Sequence, residues 1–316
     1  MASYLDSDAL IASVKRRASI PTSQSLFTND DFLGFANEEM DLGLVPLVLA
    51  EHEDYYLHET KVSLSADTTR YTIPYRAIGN KLQDLHFVDS QDNYFEMTRV
   101  TKGDVSDYNG LFVQSSYYAF YVEGNEVVIF NDHSSEPTGS LAFSYYLRPN
   151  RLVKSTRAAT IQSIDTNTGE VTVDNVPDVF KLGEQYDFIK KRSPHSILAF
   201  DIDITGINAS QNILTFSTSD LPNELAVGDV ICLAEETTLP QAPSDTHSLL
   251  AERVAARCLE AMNDTEGLNA ANQKIAELEQ KMGRLIMDRV ENAPKKVKQR
   301  HGFLNRKDQG YRGRKG

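Results

Sequence analysis

The chain has 316 residues, 41% hydrophobic and 24% charged, with a net charge of −13, so it is long enough for two or three domains around a sizeable core. Its two cysteines, Cys232 and Cys258, each lie in an apolar stretch with no CxxC pair or histidine partner nearby, which argues against a disulfide or metal framework and for two buried thiols. Residues 1–21 carry Asp6, Asp8, Lys15, Arg16 and Arg17 instead of an uninterrupted apolar core, and no stretch approaches the roughly 18 apolar residues of a membrane span, so a cytoplasmic product without signal peptide or anchor is expected.

Leu10, Ile11, Val14 and Ala18 fall at helical spacing, and Pro21 closes that segment because proline cannot continue a helix. Thr28 with Asp31 makes a capping-box-like start, after which Phe32, Ala36 and Met40 share a face. Gly43 and Pro46 then break the pattern, and Val45 to Tyr56 reads as one more helix. Residues 1–58 thus form short amphipathic helices, too few to close a core alone.

From about Thr60 the period changes from helical to alternating. Strands are expected at Tyr71–Pro74, Leu85–Val88, Tyr94–Val100, Leu111–Val113, Ala119–Val122, Val127–Phe130 and Leu141–Leu147, separated by turn formers such as Gly124-Asn125. Short strands at this spacing make residues 59–158 a sandwich or barrel, with its tyrosines as core or edge residues.

Residues 159–243 contain an internal repeat at an offset of 43 to 45 residues. Ile161-Gln-Ser-Ile164-Asp165 matches Ile204-Thr-Gly-Ile207-Asn208, and Val171-Thr-Val173 matches Leu214-Thr-Phe216. Val176-Pro177 answers Leu221-Pro222, and Leu182-Gly183-Glu184 answers Val227-Gly228-Asp229. Each copy reads as hairpin, Pro turn, Gly turn and strand, and two such halves close one small β-barrel that neither closes alone.

The helical period returns at Ser244 and runs through residues 244–293: Leu250, Val254, Cys258 and Met262 lie one turn apart, and Asn263 to Gly267 makes a turn. Ile275, Leu278, Met282 and Leu285 follow as a short coiled-coil-like seam. Pro294 closes the helix, and residues 294–316 form a basic arm with nine basic residues and one acid, Asp308, leaving −21 on the rest of the chain. The fold class expected is α+β: a helical bundle from the N- and C-terminal helices, a β-rich middle, and an inserted small β-barrel.

Sites of chemistry are scarce. The sequence has no Gly-x-Ser-x-Gly, Walker, Gly-x-Gly-x-x-Gly or EF-hand pattern. His52 and His58 flank the polar run Glu51-His-Glu-Asp54 but are six apart, unlike the i, i+4 pair of a zinc helix, so a solvated helix end is expected. Asp201 and Asp203 share a strand face through alternation alone, and Glu38 and Glu39 read as a polar helix face. No catalytic residue, metal or cofactor is expected, and the chain is read as a non-enzyme.

Several motifs together carry a family likeness: Pro21, Phe27-Thr-Asn-Asp-Asp-Phe32, Ala36-Asn-Glu-Glu-Met40, Val45-Pro46, His52-Glu-Asp-Tyr55, Tyr71-Thr-Ile-Pro74-x-Arg76-Ala-Ile-Gly79 and Leu250-Ala-Glu-Arg-Val-Ala-Ala-Arg257. With them the chain resembles the head-to-tail adaptor (connector) proteins of tailed bacteriophages, over both helical ends and the first β block, with the repeated section looking like an insertion. The resemblance implies a structural virion protein in a cyclic homo-oligomer, commonly of twelve copies. Such a ring is stacked beneath the portal protein, followed by downstream tail proteins, and encloses a channel through which DNA passes without specific binding.

An acidic body suits a conduit, because a wall of DNA's own sign does not hold phosphates. The resemblance makes the arm a strap onto the portal through Lys295, Lys296, Lys298, Arg300, Arg306, Lys307, Arg312, Arg314 and Lys315, with Phe303 and Tyr311 as apolar anchors. Two other readings stand beside it: a nucleic-acid-binding protein whose arm, with Tyr311-Arg-Gly-Arg314, grips phosphate directly, and a receptor-binding tail component.

Overall fold

A computed structural model describes residues 6–21, 23, 25–65, 68–104, 119–130 and 139–286. The expected strand Leu111–Val113 and every residue of the basic arm lie outside them.

The first helices form where their caps dictate. Helix α1 (Ser7–Arg17) starts at Asp6, whose carboxylate accepts the Ala9 N–H at 2.8 Å, and ends on Lys15, Arg16 and Arg17, which complement its dipole. Thr28 and Asp31 close the expected capping box on α2 (Asn29–Glu39). The expected break at Gly43 and Pro46 is absent: α2 runs through a π-helical turn, Met40–Leu44, straight into α3 (Val45–Glu51). Pro46 sits in the first turn of α3, directly after the π-helical turn. Gly43 serves a close approach, since a Cβ there would lie 1.8 Å from Nη1 of Arg253. Helix α3 stops at Glu51, short of the expected Tyr56, and Glu53–Tyr56 is a 3-10 turn.

Strand pairing then begins at Leu57, three residues before the expected change of period. In chain order the strands are β1 (Leu57–Ser63), β2 (Arg70–Thr72), β3 (Asp84–Val88), β4 (Tyr94–Glu96), β5 (Thr98–Arg99), β6 (Ala119–Glu123), β7 (Glu126–Phe130) and β8 (Ser140–Tyr146). One sheet has the order β1-β8-β3-β4 and the other β2-β7-β6-β5. Their inner faces share one core, with Leu85, Phe87, Phe143 and Tyr145 from the first meeting Tyr71, Phe120, Val127 and Ile129 from the second. The expected run Tyr94–Val100 is split into β4 and β5, one in each sheet.

Next come β9 (Arg151–Leu152), β10 (Ala159–Asp165), β11 (Glu170–Val173), β12 (Gln185–Ile189), β13 (Ile197–Asn208), β14 (Ile213–Phe216), β15 (Val230–Leu233) and β16 (Glu236–Thr237). Six of them close a barrel in the order β10-β11-β14-β13-β12-β15. Exchanging β10 with β13, β11 with β14 and β12 with β15 returns the same order, so the repeat is a two-fold relation of the barrel to itself. Registers obey it residue by residue. Ile161 pairs with Val173 as Ile204 pairs with Phe216, and both hairpins carry a bulge at the next step. Val171 pairs with its own equivalent Leu214, and Asp187 with its own equivalent Cys232, so both pairs lie on the pseudo-dyad. The hairpin turns correspond as well: Gly169 at φ 75° answers Asn212 at φ 55°. A Cβ on Gly169 would stand 2.2 Å from the Phe216 carbonyl oxygen, which restricts that position to glycine.

Helices α4 (His247–Ala261) and α5 (Thr265–Ile286) complete the described chain. One apolar cluster takes in Leu10 and Val14 of α1, Phe32 and Ala36 of α2, Val48 of α3, Leu250, Val254 and Cys258 of α4, and Met282 of α5. The molecule is thus mixed α+β, with helices from both ends of the sequence in one core, a sandwich, and a six-stranded barrel. Both cysteines are free and buried, and burial raises the Cys258 thiol to about 11. Among the described residues no helix is long and apolar enough to cross a membrane.

Candidate functional site

The eleven arm residues singled out from the sequence, Lys295 to Lys315, lie outside the described residues. What the structure brings together is a buried polar junction where the sandwich, the barrel and the helices meet.

Arg76 follows β2 and is 3% exposed, while Asp187, in the middle of β12, is fully buried. The guanidinium donates to both Asp187 carboxylate oxygens, at 2.7 and 3.0 Å, and to Asp201 at 2.6 Å. Its flat face lies over the Phe200 ring, 4.9 Å from the centroid. Burial alone disfavours the charged form of Arg76, but the Asp187 bonds and charge outweigh it and hold the group above its ordinary value. Asp187 also accepts from the Asn150 amide at 2.5 Å and from the backbone N–H groups of Asp201 and Glu235, each at 3.1 Å. Five donors converge on this one carboxylate, and the arrangement holds the geometry of the junction. The barrel's internal symmetry breaks here, since the equivalent of Asp187 is the apolar Cys232.

Asn150 passes the junction on. Its N–H donates to Oε1 of Gln241 at 2.6 Å, and the Gln241 carbonyl accepts the Tyr56 hydroxyl at 3.1 Å. Beyond Gln241, the His195 ring from the loop before β13 stacks on His247 at the start of α4, with centroids 5.7 Å apart. Burial lowers both histidines below their ordinary value, and their mutual proximity lowers His247 further. Below the junction β9 pairs in parallel with β16, and the Asn37 side chain clamps the Leu152 backbone through two bonds, at 2.7 and 3.1 Å.

The helices carry a second set of ties. Glu252 of α4, 4% exposed, accepts from Arg17 of α1 and from Lys274 of α5. Arg253 and Arg257 of α4 both reach Glu39 of α2, and Arg253 reaches Glu279 of α5 at 2.5 Å. Glu39 is therefore a cross-helix clamp and not merely part of a polar face; its neighbour Glu38 stays exposed.

Two further expectations change. Asp201 does not share a role with Asp203: the β12–β13 register shifts beside it, its φ is 58°, and its carboxylate turns to Arg76 while Asp203 faces Gln185. His52 caps α3 and His58 lies on β1, against Tyr145 and Phe200. Among the described residues no group of three His, Cys, Asp or Glu side chains is placed to hold a metal ion.

Sequence reasoning missed Asp187, Asn150, Gln241 and Glu252. One signal was present: a lone carboxylate inside the apolar run Tyr186-Asp-Phe-Ile189 is seldom buried without a partner. Against models of known protein families and against characterised proteins, the chain gives no match.

Proposed function

We propose that this chain is a structural virion protein, a head-to-tail adaptor of a tailed bacteriophage that forms a ring beneath the portal and lines the DNA channel. In this reading the N- and C-terminal helices form the bundle of the ring, the sandwich extends from it, and the repeated barrel is an insertion. One observation carries the proposal: the motifs behind the likeness are the residues that tie the chain's two ends and its first β block together. Thr28 and Asp31 start α2, Asn37 grips the chain beside the barrel, Arg76 locks sandwich to barrel, and Glu252, Arg253 and Arg257 tie α4 to its neighbours. The −21 body and the basic arm support a conduit wall strapped to a partner.

Mass measurement and electron microscopy of the native particle test this reading. The expected outcome is a cyclic stoichiometry, twelve copies if the resemblance holds in detail. One or two copies per particle would sink it.

A further inference from the structure

The barrel's internal symmetry sets two matching turns at the ends of its β12–β15 ribbon. Leu182-Gly183 leads into β12 and Val227-Gly228 into β15, with the glycines at φ 91° and 93°. The strands run antiparallel, Tyr186 beside Leu233 and Ile189 beside Val230, so the two turns lie at opposite ends of the ribbon. Glycine supplies the positive φ, and nothing in such a turn calls for an apolar side chain before it. Both copies carry one all the same: Leu182 is 64% exposed and Val227 65%. A lone exposed apolar residue needs no explanation, but equal exposure at two symmetric positions does. Charge breaks the symmetry that shape keeps. The pseudo-dyad equates Lys190-Lys191, at the exit of β12 beside Val227, with Glu235-Glu236, at the exit of β15 beside Leu182. A Cβ on Gly228 would stand 3.1 Å from Cδ of Lys191, and the Ala234 N–H bonds the Gln185 carbonyl at 2.8 Å, so each exit adjoins its turn. Lys190 pairs with Glu224 and Glu236 with Arg157. Lys191 and Arg192 are exposed at one end, and at the other Lys181 is outnumbered by the exposed Glu184, Asp203 and Glu235.

We propose that these ends dock on a second copy of this chain: the Leu182 turn with Glu184 and Glu235 of one barrel meets the Val227 turn with Lys191 and Arg192 of the next. Unlike ends attract and like ends repel, which disfavours a two-fold dimer through either end and makes the contact heterologous. A heterologous contact leaves one end of each kind open after every addition, so it extends until it closes on itself. The contact follows from the barrel alone and does not rest on the adaptor reading.

Sedimentation velocity of the full chain at low salt is expected to show association that grows with concentration and weakens as salt is raised. Lys191→Glu with Arg192→Glu makes both ends acidic, and Glu184→Lys with Glu235→Lys makes both basic. Each double variant alone is expected to associate at least about tenfold more weakly, because like charges then face each other. Mixed in equal amounts, the two are expected to associate again in alternation, since every contact then joins opposite charges. Leu182→Ser and Val227→Ser, both at exposed turns, are expected to weaken association without moving the melting temperature, and they decide the matter if a charge variant folds poorly. A chain monomeric at every concentration, double variants that associate like the parent, or a mixture that stays apart overturns the proposal. Open chains in place of closed rings support this contact and sink the adaptor ring, whereas rings that survive both double variants are held together elsewhere and overturn this contact alone.

Discussion

Arg76 is a full positive charge taken out of water, and the two aspartates of the barrel supply the opposite charge that makes that tolerable. Removing one partner of such a buried pair leaves the other unpaired, so Arg76→Ala is expected to lower stability by about 3–5 kcal/mol in urea unfolding. An Arg76→Met, Asp187→Leu double variant recovers only part of that loss, because it removes both fully buried charges but leaves the Asn150 amide and the backbone N–H groups of Asp201 and Glu235 without their acceptor. A second residue-scale expectation concerns acid. His58, His195 and His247 are all pushed down by burial, so the folded protein holds them neutral while the unfolded chain protonates near the ordinary value of about 6.5. A depressed histidine contributes stability that is fully present above its unfolded pKa and is lost as pH falls below it. Thermal melts at pH 7.5 and 5.5 are expected to show that loss, and His247→Gln to reduce it; an equal loss in the variant would place the acid sensitivity elsewhere. Asp245, the acidic neighbour that favours protonation of His247, limits the size of the effect.

At the scale of elements, the barrel buries its own core yet is not independent of what it stands on. Its apolar cluster, from Ile161, Val171, Tyr186 and Phe188 to Leu214 and Ile231, is closed within the six strands. Arg157 and Glu236, which flank the barrel in sequence, are paired through their side chains at 2.5 and 3.0 Å, so the two ends of the segment lie together. Removing residues 158–234 and joining the ends is therefore expected to leave a folded remainder in which Arg76, whose partners Asp187, Asp201 and Phe200 leave with the barrel, turns to water. Loss of all cooperative unfolding in the excised form would show instead that this segment belongs to the main core. The barrel was legible in sequence because its repeated positions are core and turn positions, where side-chain size and backbone sign are restricted. Strand β1 was not, because its more buried alternates, His58, Thr60 and Val62, are mostly polar and packed at a sheet edge. The continuous passage from α2 to α3 was hidden by Gly43 and Pro46, local breakers that the π-helical turn accommodates. The Arg76–Asp187 pair joins residues 111 apart, and no local pattern encodes such a contact.

For the whole molecule, charge is divided as unevenly as structure: −21 before Pro294 and +8 after it. A basic arm beside an acidic body of its own chain has two kinds of partner open to it, an acidic groove on another protein or the phosphates of nucleic acid. Binding to either weakens with salt, so salt dependence alone does not separate them. Partner identity does. If the arm straps the ring to the portal, changing Lys295, Lys296, Lys298 and Arg300 to Glu reverses its sign at the segment nearest the body and is expected to abolish attachment to portal free of DNA, in a pull-down with purified components. The melting temperature of that variant reports directly whether the core stays folded. An arm that instead grips nucleic acid would leave attachment to empty portal unchanged and lose DNA affinity in a gel-shift assay. Full attachment of the charge-reversed protein to DNA-free portal therefore ends the strap reading, and loss of attachment with DNA affinity unchanged establishes it.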